Sequence, residues 1–215
     1  MGCVIRTSAT CITPATVAPL DVAYAKLHLR AISDYEDELV ESWIHAAASY
    51  FEEQTGRPIM RAVFEYWLDA FPVETAIELP HPPLVDVQAV EYLDSDGALT
   101  AFTDGASPAS DLWLVRKPEG VYARRGWVLP AVGQVWPYAQ TVPGAVRIRY
   151  EAGYADTQSD VPHLVKLALL HLVGQFDQFR SNLFEGSVTP IPFGADAMIA
   201  AFKYSAYPSQ VLHRP

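Results

Sequence analysis

Residues 33–55 read SDYEDELVESWIHAAASYFEEQT, and this stretch decides the fold. Ser33 and Glu36 have the spacing of a capping box, and Gly56 followed by Pro58 marks the other end of a helix. Apolar residues recur at helical spacing in two adjacent rows: Leu39, Trp43, Ala46, Tyr50, and Val40, Ile44, Ala47, Phe51. The pattern predicts a long amphipathic helix over 33–55 with one buried side.

The negative charge of the chain is concentrated in this helix. The whole chain has 25 acidic and 15 basic residues, a net charge of -10, yet residues 31–55 contain no Lys or Arg. The acidic residues of this stretch are Asp34, Glu36, Asp37, Glu38, Glu41, Glu52 and Glu53. They form either a solvated helix face or a functional surface, one that avoids polyanions or meets a basic partner.

Length and composition favour one domain with a substantial core. The chain has 215 residues, half of them apolar. Cys3 and Cys11 stand outside any metal-ligand spacing, which favours a cytosolic protein without disulfides. Because the chain lacks an apolar run of bilayer length and a signal-peptide pattern at its start, we expect neither membrane anchoring nor secretory export.

The order of periodic segments predicts an α+β fold. Helical patterns recur at 19–30, 33–55, 161–180 and 194–204, so we expect a helical-bundle core of about four helices. An antiparallel β region at 59–151 is inserted between the second and third helices. We expect a single domain over 19–204, with an extended N-terminal arm at 1–18 and an extended C-terminal tail at 205–215.

Within the β region, alternation of apolar and polar residues predicts strands at 62–69, 76–79, 85–93 and 98–102, in the manner of a meander, and a further strand at 144–150. Residues 94–97, Asp-Ser-Asp-Gly, form a hairpin signal. Periodicity is lost at 103–143, where we expect an extended loop or a hairpin in which 112–115 pairs with 121–123.

No catalytic, cofactor or metal motif stands out from the sequence. The six histidines are scattered, and His163 and His171 are eight residues apart, too far for the usual ligand pair on one helix. We therefore predict no catalytic residue, cofactor or metal. Two other classes stay open: a small soluble enzyme, hydrolytic or metal-dependent, with an unrecognised site, and a monomeric protein-binding module.

A basic cluster lies in the aperiodic segment. Its residues are Trp113, Arg116, Lys117, Arg124, Arg125 and Trp127. Cations between tryptophans could contact phosphates and stack bases, but a net charge of -10 opposes association with DNA. We expect this segment to contact a neighbouring subunit or the tail side of an assembly.

The C-terminal tail has the composition of a docking peptide. From Ala197 onward there are two basic residues and no acidic one. Its apolar anchors are Tyr204, Tyr207, Val211 and Leu212. A frayed terminus has a similar composition, so docking is a hypothesis here.

Several stretches in series resemble the head-tail connector (adaptor) proteins of long-tailed bacteriophages and phage-like gene transfer agents. They are TVAPLDVAYAKLHLR (16–30), DYEDELVESWIHAAASYFEEQTGRPIM (34–60), LDAFP (68–72), IELPHPPLVDVQAVEYLDSDG (77–97), PGAVRIRYEAGYAD (143–156) and VPHLVKLALLHLVGQF (161–176). The residues around 55–57, 80–83 and 153–154 match the sequences of these connector proteins best. The resemblance covers about residues 19–194, and its specificity lies in the order of the stretches.

The resemblance implies a structural protein, not an enzyme. Such proteins form a ring of twelve subunits beneath the portal protein, contact a tail-side neck or stopper protein, and continue the channel through which double-stranded DNA passes without sequence-specific binding. The expected location is the neck of a virion or phage-like particle, and the bacterial host cytoplasm during assembly. The acidic face would then line the channel or contact the next subunit, and the tail would dock on the portal.

Overall fold

The computed structural model describes residues 7–30, 37–72, 76–103, 111–178 and 194–203. They fall into two compact units. In the described ranges, the sheet unit takes in 7–21, 57–72, 76–103 and 111–162, and the helical unit takes in 22–30, 37–56, 163–178 and 194–203. The described residues contain no helix that is both long and apolar enough to cross a membrane. A single connector domain over 19–204, flanked by an arm and a tail, stays a prediction.

The helical unit contains the four predicted helices in its described part. They are α1 (Val22–Leu29), α2 (Asp37–Thr55), α3 (His163–Gln178) and α4 (Ala195–Phe202). Helix α2 contacts α1, α3 and α4, and α3 also contacts α1 and α4. With the strands of the other unit, this confirms an α+β fold. The predicted cap residues Ser33 and Glu36 lie outside the described residues.

Only one of the two apolar rows of α2 is in the core. Val40, Ile44, Ala47 and Phe51 are fully buried, and the Phe51 ring meets Phe202 of α4 edge-on at 5.3 Å. Leu39 and Tyr50, from the other row, are each 40% exposed. A helix that packs on one side buries one stripe, so the second row is left at the surface.

The sheet unit contains two antiparallel sheets. Its strands are β1 (Thr7–Thr13), β2 (Ala62–Leu68), β3 (Ile77–Glu78), β4 (Leu84–Leu93), β5 (Leu99–Ala101), β6 (Trp113–Arg116), β7 (Trp127–Pro130) and β8 (Val146–Ala152). The larger sheet has the order β1-β2-β8-β4-β5 and the smaller one the order β3-β7-β6. One apolar cluster, which includes Phe64, Val90, Ile148 and Tyr150, joins their buried residues.

The alternation predicted for β8 is confirmed. Val146, Ile148 and Tyr150 are fully buried, while the arginines between them point to the other face. There Arg147 donates to Glu91 of β4 at 2.8 Å, and Arg149 donates to Glu65 of β2 at 2.9 Å. Apolar packing on one face of the sheet and ion pairs on the other therefore hold β8 between β2 and β4.

The predicted meander is wrong. Strand β8 pairs with β2 on one side and β4 on the other, so strands distant in sequence are adjacent in the sheet. Alternation identifies the buried face of a strand but not its neighbours, which depend on long-range pairing. The predicted hairpin between β4 and β5 is confirmed, and the Asp94 carboxylate accepts hydrogen bonds from the amides of Asp96 and Ala98.

The predicted partner of 112–115 is also wrong. Strand β6 pairs with β7, with Arg116 opposite Trp127, and not with 121–123. The backbone carbonyls of Val121 and Ala123 instead accept hydrogen bonds from side chains. Side-chain hydrogen bonds to these two carbonyls therefore hold a loop here, where the sequence predicts a paired strand.

The start of the chain also takes part in the sheet. Thr7–Thr13, which the sequence places in an extended arm, pairs antiparallel with β2 as an edge strand. The threonines of this stretch are β-branched and suit an extended backbone.

Gly153, just after β8, provides a test of this packing. Its φ is +135°, and a Cβ added there would stand 2.6 Å from the carbonyl oxygen of Met60 and 2.7 Å from Cα of Arg61. We expect Gly153→Ala to lower the free energy of unfolding by roughly 2–4 kcal/mol, because backbone on both sides must move. Urea unfolding measures this change.

The control is Gly133→Ala. Gly133 also has a positive φ, +82°, but nothing lies within 4 Å of an added Cβ. We expect a loss of roughly 1 kcal/mol there, from backbone strain alone. Equal losses at the two positions would show that the close approach at Gly153 does not matter.

Candidate interaction surfaces

The acidic face of α2 is only partly available for contacts. Asp37 forms an ion pair with Lys26 of α1 at 2.7 Å, so it helps to join two helices. Glu38, Glu41 and Glu53 are exposed and form no ion pair within the described part of the chain. Glu52 is half-buried, and Asp34 and Glu36 lie outside the described residues. The acidic face as a channel lining or subunit contact stays a prediction.

A second surface of α2 is apolar. We call Leu39, Trp43, Ala46 and Tyr50 the apolar row. Leu39, Ala46 and Tyr50 are exposed, and Trp43 is half-buried. At about 3.6 residues per turn, Glu41 and Glu52 fall on a different side of the helix from this row. Helix α2 therefore has a buried side, an acidic side and an exposed apolar side.

The basic cluster surrounds the loop between β6 and β7. We call residues 116–126, which are the last residue of β6 and this loop, the basic loop. Arg116, Lys117 and Arg124 are exposed, and Lys117 donates to the carbonyl of Val85 at 2.9 Å. Arg125 lies 3.8 Å from the Glu78 carboxylate, so part of its charge is compensated.

The two tryptophans of the cluster differ in exposure. Trp113 is only 8% exposed and belongs to the apolar cluster of the sheet unit, while Trp127 is half-buried on β7. The structure therefore brings the arginines and Lys117 to one loop but uses Trp113 as a core residue. Trp113 is therefore not available for the base stacking that the nucleic-acid interpretation requires.

Two residues outside the predicted sites hold the basic loop. Arg57 is 3% exposed, and its Nη1 donates to the carbonyl of Ala123 at 2.7 Å and to the Tyr154 hydroxyl at 3.2 Å. The Tyr154 hydroxyl donates in turn to the carbonyl of Val121 at 2.7 Å. Because both carbonyls are fixed, the backbone of the loop is held at two points two residues apart.

The same contacts influence the titration of Tyr154. Burial raises the pKa of its hydroxyl, and the positive charge of Arg57 opposes part of that rise. The neutral phenol, which donates to Val121, is therefore the form present at neutral pH. Arg57 and Tyr154 lie in stretches that carry the family resemblance, and that match was the one signal pointing to them.

While the loop is fixed, two of its apolar side chains face solvent. Val121 is 39% exposed and Tyr122 is 58% exposed. The loop thus presents apolar and basic groups together on a fixed backbone. The predicted docking residues Tyr204, Tyr207, Val211 and Leu212 lie outside the described residues.

The described residues contain no group of three or more His, Cys, Asp or Glu side chains that could hold a metal ion. A cleft of about 270 Å³ in the sheet unit is lined by residues 13–17, 60–63, 151 and 155–156. Its charged groups include Arg61 and Asp156, which are paired with each other at 2.6 Å.

Comparison with known proteins gives similarity of structure and not of sequence. No family model matches the chain, and no curated protein matches it. Solved structures of a gene transfer agent (GTA) contain similar chains. The likeness establishes the fold. In the virion of the native GTA particle, one chain is 23% identical with a TM-score of 0.73, covering 92% of this chain and 95% of that one.

Two more of these structures are of particle necks. The neck of the empty GTA particle, computed with C6 symmetry, contains a chain that is 23% identical, with a TM-score of 0.70. The neck of the native particle, computed with C12 symmetry, contains one that is 22% identical, with a TM-score of 0.67. In both, 92% of this chain and 96% of that chain are covered. The similarity therefore spans nearly the whole of each chain.

We expect Tyr154→Phe to loosen the basic loop. The change removes the donor to Val121 and one acceptor of Arg57, so the free energy of unfolding should fall by about 1–2 kcal/mol. Amide hydrogen exchange in 117–125 should become faster. Tyr138→Phe is the control, since Tyr138 is 76% exposed.

The pH dependence adds a second measurement. The raised pKa of Tyr154 means that its contribution to stability is complete below the unfolded-state pKa of about 10 and is lost as pH rises above it. Tyr154→Phe should remove this part of the alkaline destabilisation. Unchanged exchange in the loop and an unchanged alkaline limb would contradict the role given to Tyr154.

Proposed function

We propose that this chain is a structural component of the neck of a phage-like particle, either a gene transfer agent or a tailed phage. The observation that carries the proposal is the likeness of fold to chains of GTA structures, which covers 92% of this chain and at least 95% of each of those chains. Because the match leaves little of either chain unaligned, it favours a shared structural role over the reuse of a small domain.

We further propose that the chain acts as the head-tail connector, or adaptor. In this role a helical-bundle core carries the β region as an insertion, and an extended C-terminal tail reaches the portal protein. Copies form a ring beneath the portal, twelve in number, and join it to a tail-side neck or stopper protein. The C6 and C12 symmetry of the similar neck structures supports a ring of this kind. Assembly takes place in the host cytoplasm.

A ring in this position surrounds the path of the DNA. A channel that conducts a polyanion works best when its wall does not bind phosphate, so negative charge on the wall suits it. We propose that the acidic side of α2, with Glu41 and Glu52, faces the channel. The role is mechanical, and no catalytic residue is assigned to it.

Particle fractionation with imaging of the neck tests this function. The chain, detected by antibody, should co-purify with particles at a fixed ratio to the portal. Particles made without it should accumulate as separate heads and tails. A chain found in the soluble pool alone, with normal particles made in its absence, would exclude the proposal.

We expect Glu41→Lys to impair DNA delivery without impairing assembly. A positive charge on the channel wall attracts phosphates, so the DNA delivered per assembled particle should fall several-fold. Glu41 is preferred to Asp37 because reversal of Asp37 would also break its ion pair with Lys26. Asp96→Lys, in the exposed turn between β4 and β5, is the matched control. Normal delivery by the Glu41 variant would argue against a lumenal position.

We expect deletion of residues 205–215 to abolish binding to the portal. A segment that orders on contact can bury aromatic and aliphatic anchors such as Tyr207, Val211 and Leu212. A pull-down with purified portal protein measures binding, and circular dichroism checks that the shortened chain is folded. Undiminished binding by the folded, shortened chain would refute the docking hypothesis.

A further inference from the structure

We propose that the basic loop of one copy binds the apolar row of α2 on the next copy, so that two different surfaces of this chain close the ring. The inference rests on the proposed ring and adds which surfaces form its interface.

The apolar row is one half of this interface. Its four residues follow the spacing i, i+4, i+7, i+11 and cover roughly 16 Å of helix. Leu39 and Tyr50 are 40% exposed although Val40 and Phe51, their neighbours in sequence, are completely buried. The helical unit therefore packs without burying Leu39 and Tyr50, and Trp43 between them is half-buried. A partly exposed apolar row along a helix is typical of a binding surface.

The basic loop is the other half. Tyr122 and Val121 are exposed, while the backbone beneath them is fixed by Arg57 and Tyr154. A loop that is already ordered loses little conformational entropy on binding, so its apolar side chains contribute more to affinity. Tyrosine is also among the residues that contribute most at protein interfaces.

The charges of the two surfaces are complementary. Glu38 precedes Leu39 in sequence and lies about 100° from it around the helix, and Glu53 follows Tyr50 by about one turn and lies about 60° from it. Both are exposed and form no ion pair in the described ranges. Arg116 and Lys117 of the basic loop are exposed as well. Opposite charges around apolar contacts favour the correct partner and register over incorrect ones.

Ring symmetry requires such a pair of surfaces. In a closed ring of more than two identical subunits, each copy uses one surface toward the next copy and a different one toward the previous copy. Both surfaces combine exposed apolar side chains with charged groups, and their charges are opposite. The apolar row has Glu38 and Glu53 near it, and the basic loop has Arg116 and Lys117. A second copy of this chain is therefore the occupant that fits the row.

Charge exchange between copies tests the inference. Variant A carries Glu38→Lys and Glu53→Lys, and variant B carries Arg116→Glu and Lys117→Glu. Each is expressed as the only copy in particle-producing cells, and the chain found in particles is measured. Like charges then face each other at every interface, and we expect incorporation to fall by at least about tenfold. Asp96→Lys with Asp196→Lys, two exposed positions outside both surfaces, is the matched control and should leave incorporation unchanged.

Co-expression of A and B should restore incorporation, because the two variants can alternate around the ring with opposite charges facing. Normal incorporation of A or B alone would overturn the inference. Failure of co-expression to restore incorporation would also overturn the inference. If a chain with all four changes restores incorporation while co-expression does not, the two charged surfaces meet within a single copy, and the inference is overturned as well. A wild-type chain that never enters particles would instead exclude the proposed function.

Disulfide formation gives an independent measure of the contact. Ala46→Cys and Val121→Cys are combined in a chain with Cys3→Ser and Cys11→Ser, and particles are oxidised. Because each copy would link to two different neighbours, a ladder of oligomers should appear on a non-reducing gel. Ala46→Cys with Asp96→Cys should give none. If the chain with Ala46→Cys and Val121→Cys stays monomeric after oxidation, the proposed contact is refuted.

Discussion

The side chain of Arg57 is almost fully buried, and a buried guanidinium requires hydrogen-bond acceptors around it. The carbonyl of Ala123 and the hydroxyl of Tyr154 provide them. This one requirement connects three segments that are distant in sequence: the entry to β2, the loop between β6 and β7, and the turn after β8. The contacts of Arg57 and Tyr154 hold the middle of the basic loop, where Val121 and Ala123 have no strand ladder.

The turn after β8 depends on equally close contacts. Gly153 brings the chain to within contact distance of Met60 and Arg61, and the amide of Tyr154 donates to the carbonyl of Ile59 at 3.1 Å. Tyr154 can reach Arg57 because the backbone passes so near to β2. The close backbone approach at Gly153, the buried charge of Arg57 and the exposed position of Tyr122 therefore depend on one another.

Helix α2 has three sides of different character, which suits the proposed ring. One side is buried in the helical unit, a second is acidic, and a third is apolar and exposed. A monomeric protein gains little from the third side, whereas a subunit with neighbours on two sides can use it. The similarity to chains of GTA necks and the exposed row of α2 therefore support the same proposal from independent observations.

The sequence by itself determined the four helices, the α+β class, the buried face of β8 and the β4–β5 hairpin, because these depend on periodicity and turn chemistry within a few residues. The resemblance found in the sequence also agreed with the fold of GTA neck chains. The two rows of α2 were visible too, but not which of them is buried.

Only the tertiary structure decided the order β1-β2-β8-β4-β5, the pairing of β6 with β7, the burial of Trp113 and the anchoring of the basic loop by Arg57 and Tyr154. These features join residues up to about a hundred positions apart. They depend on which surfaces meet when the chain packs, and the local pattern of a sequence does not contain that information.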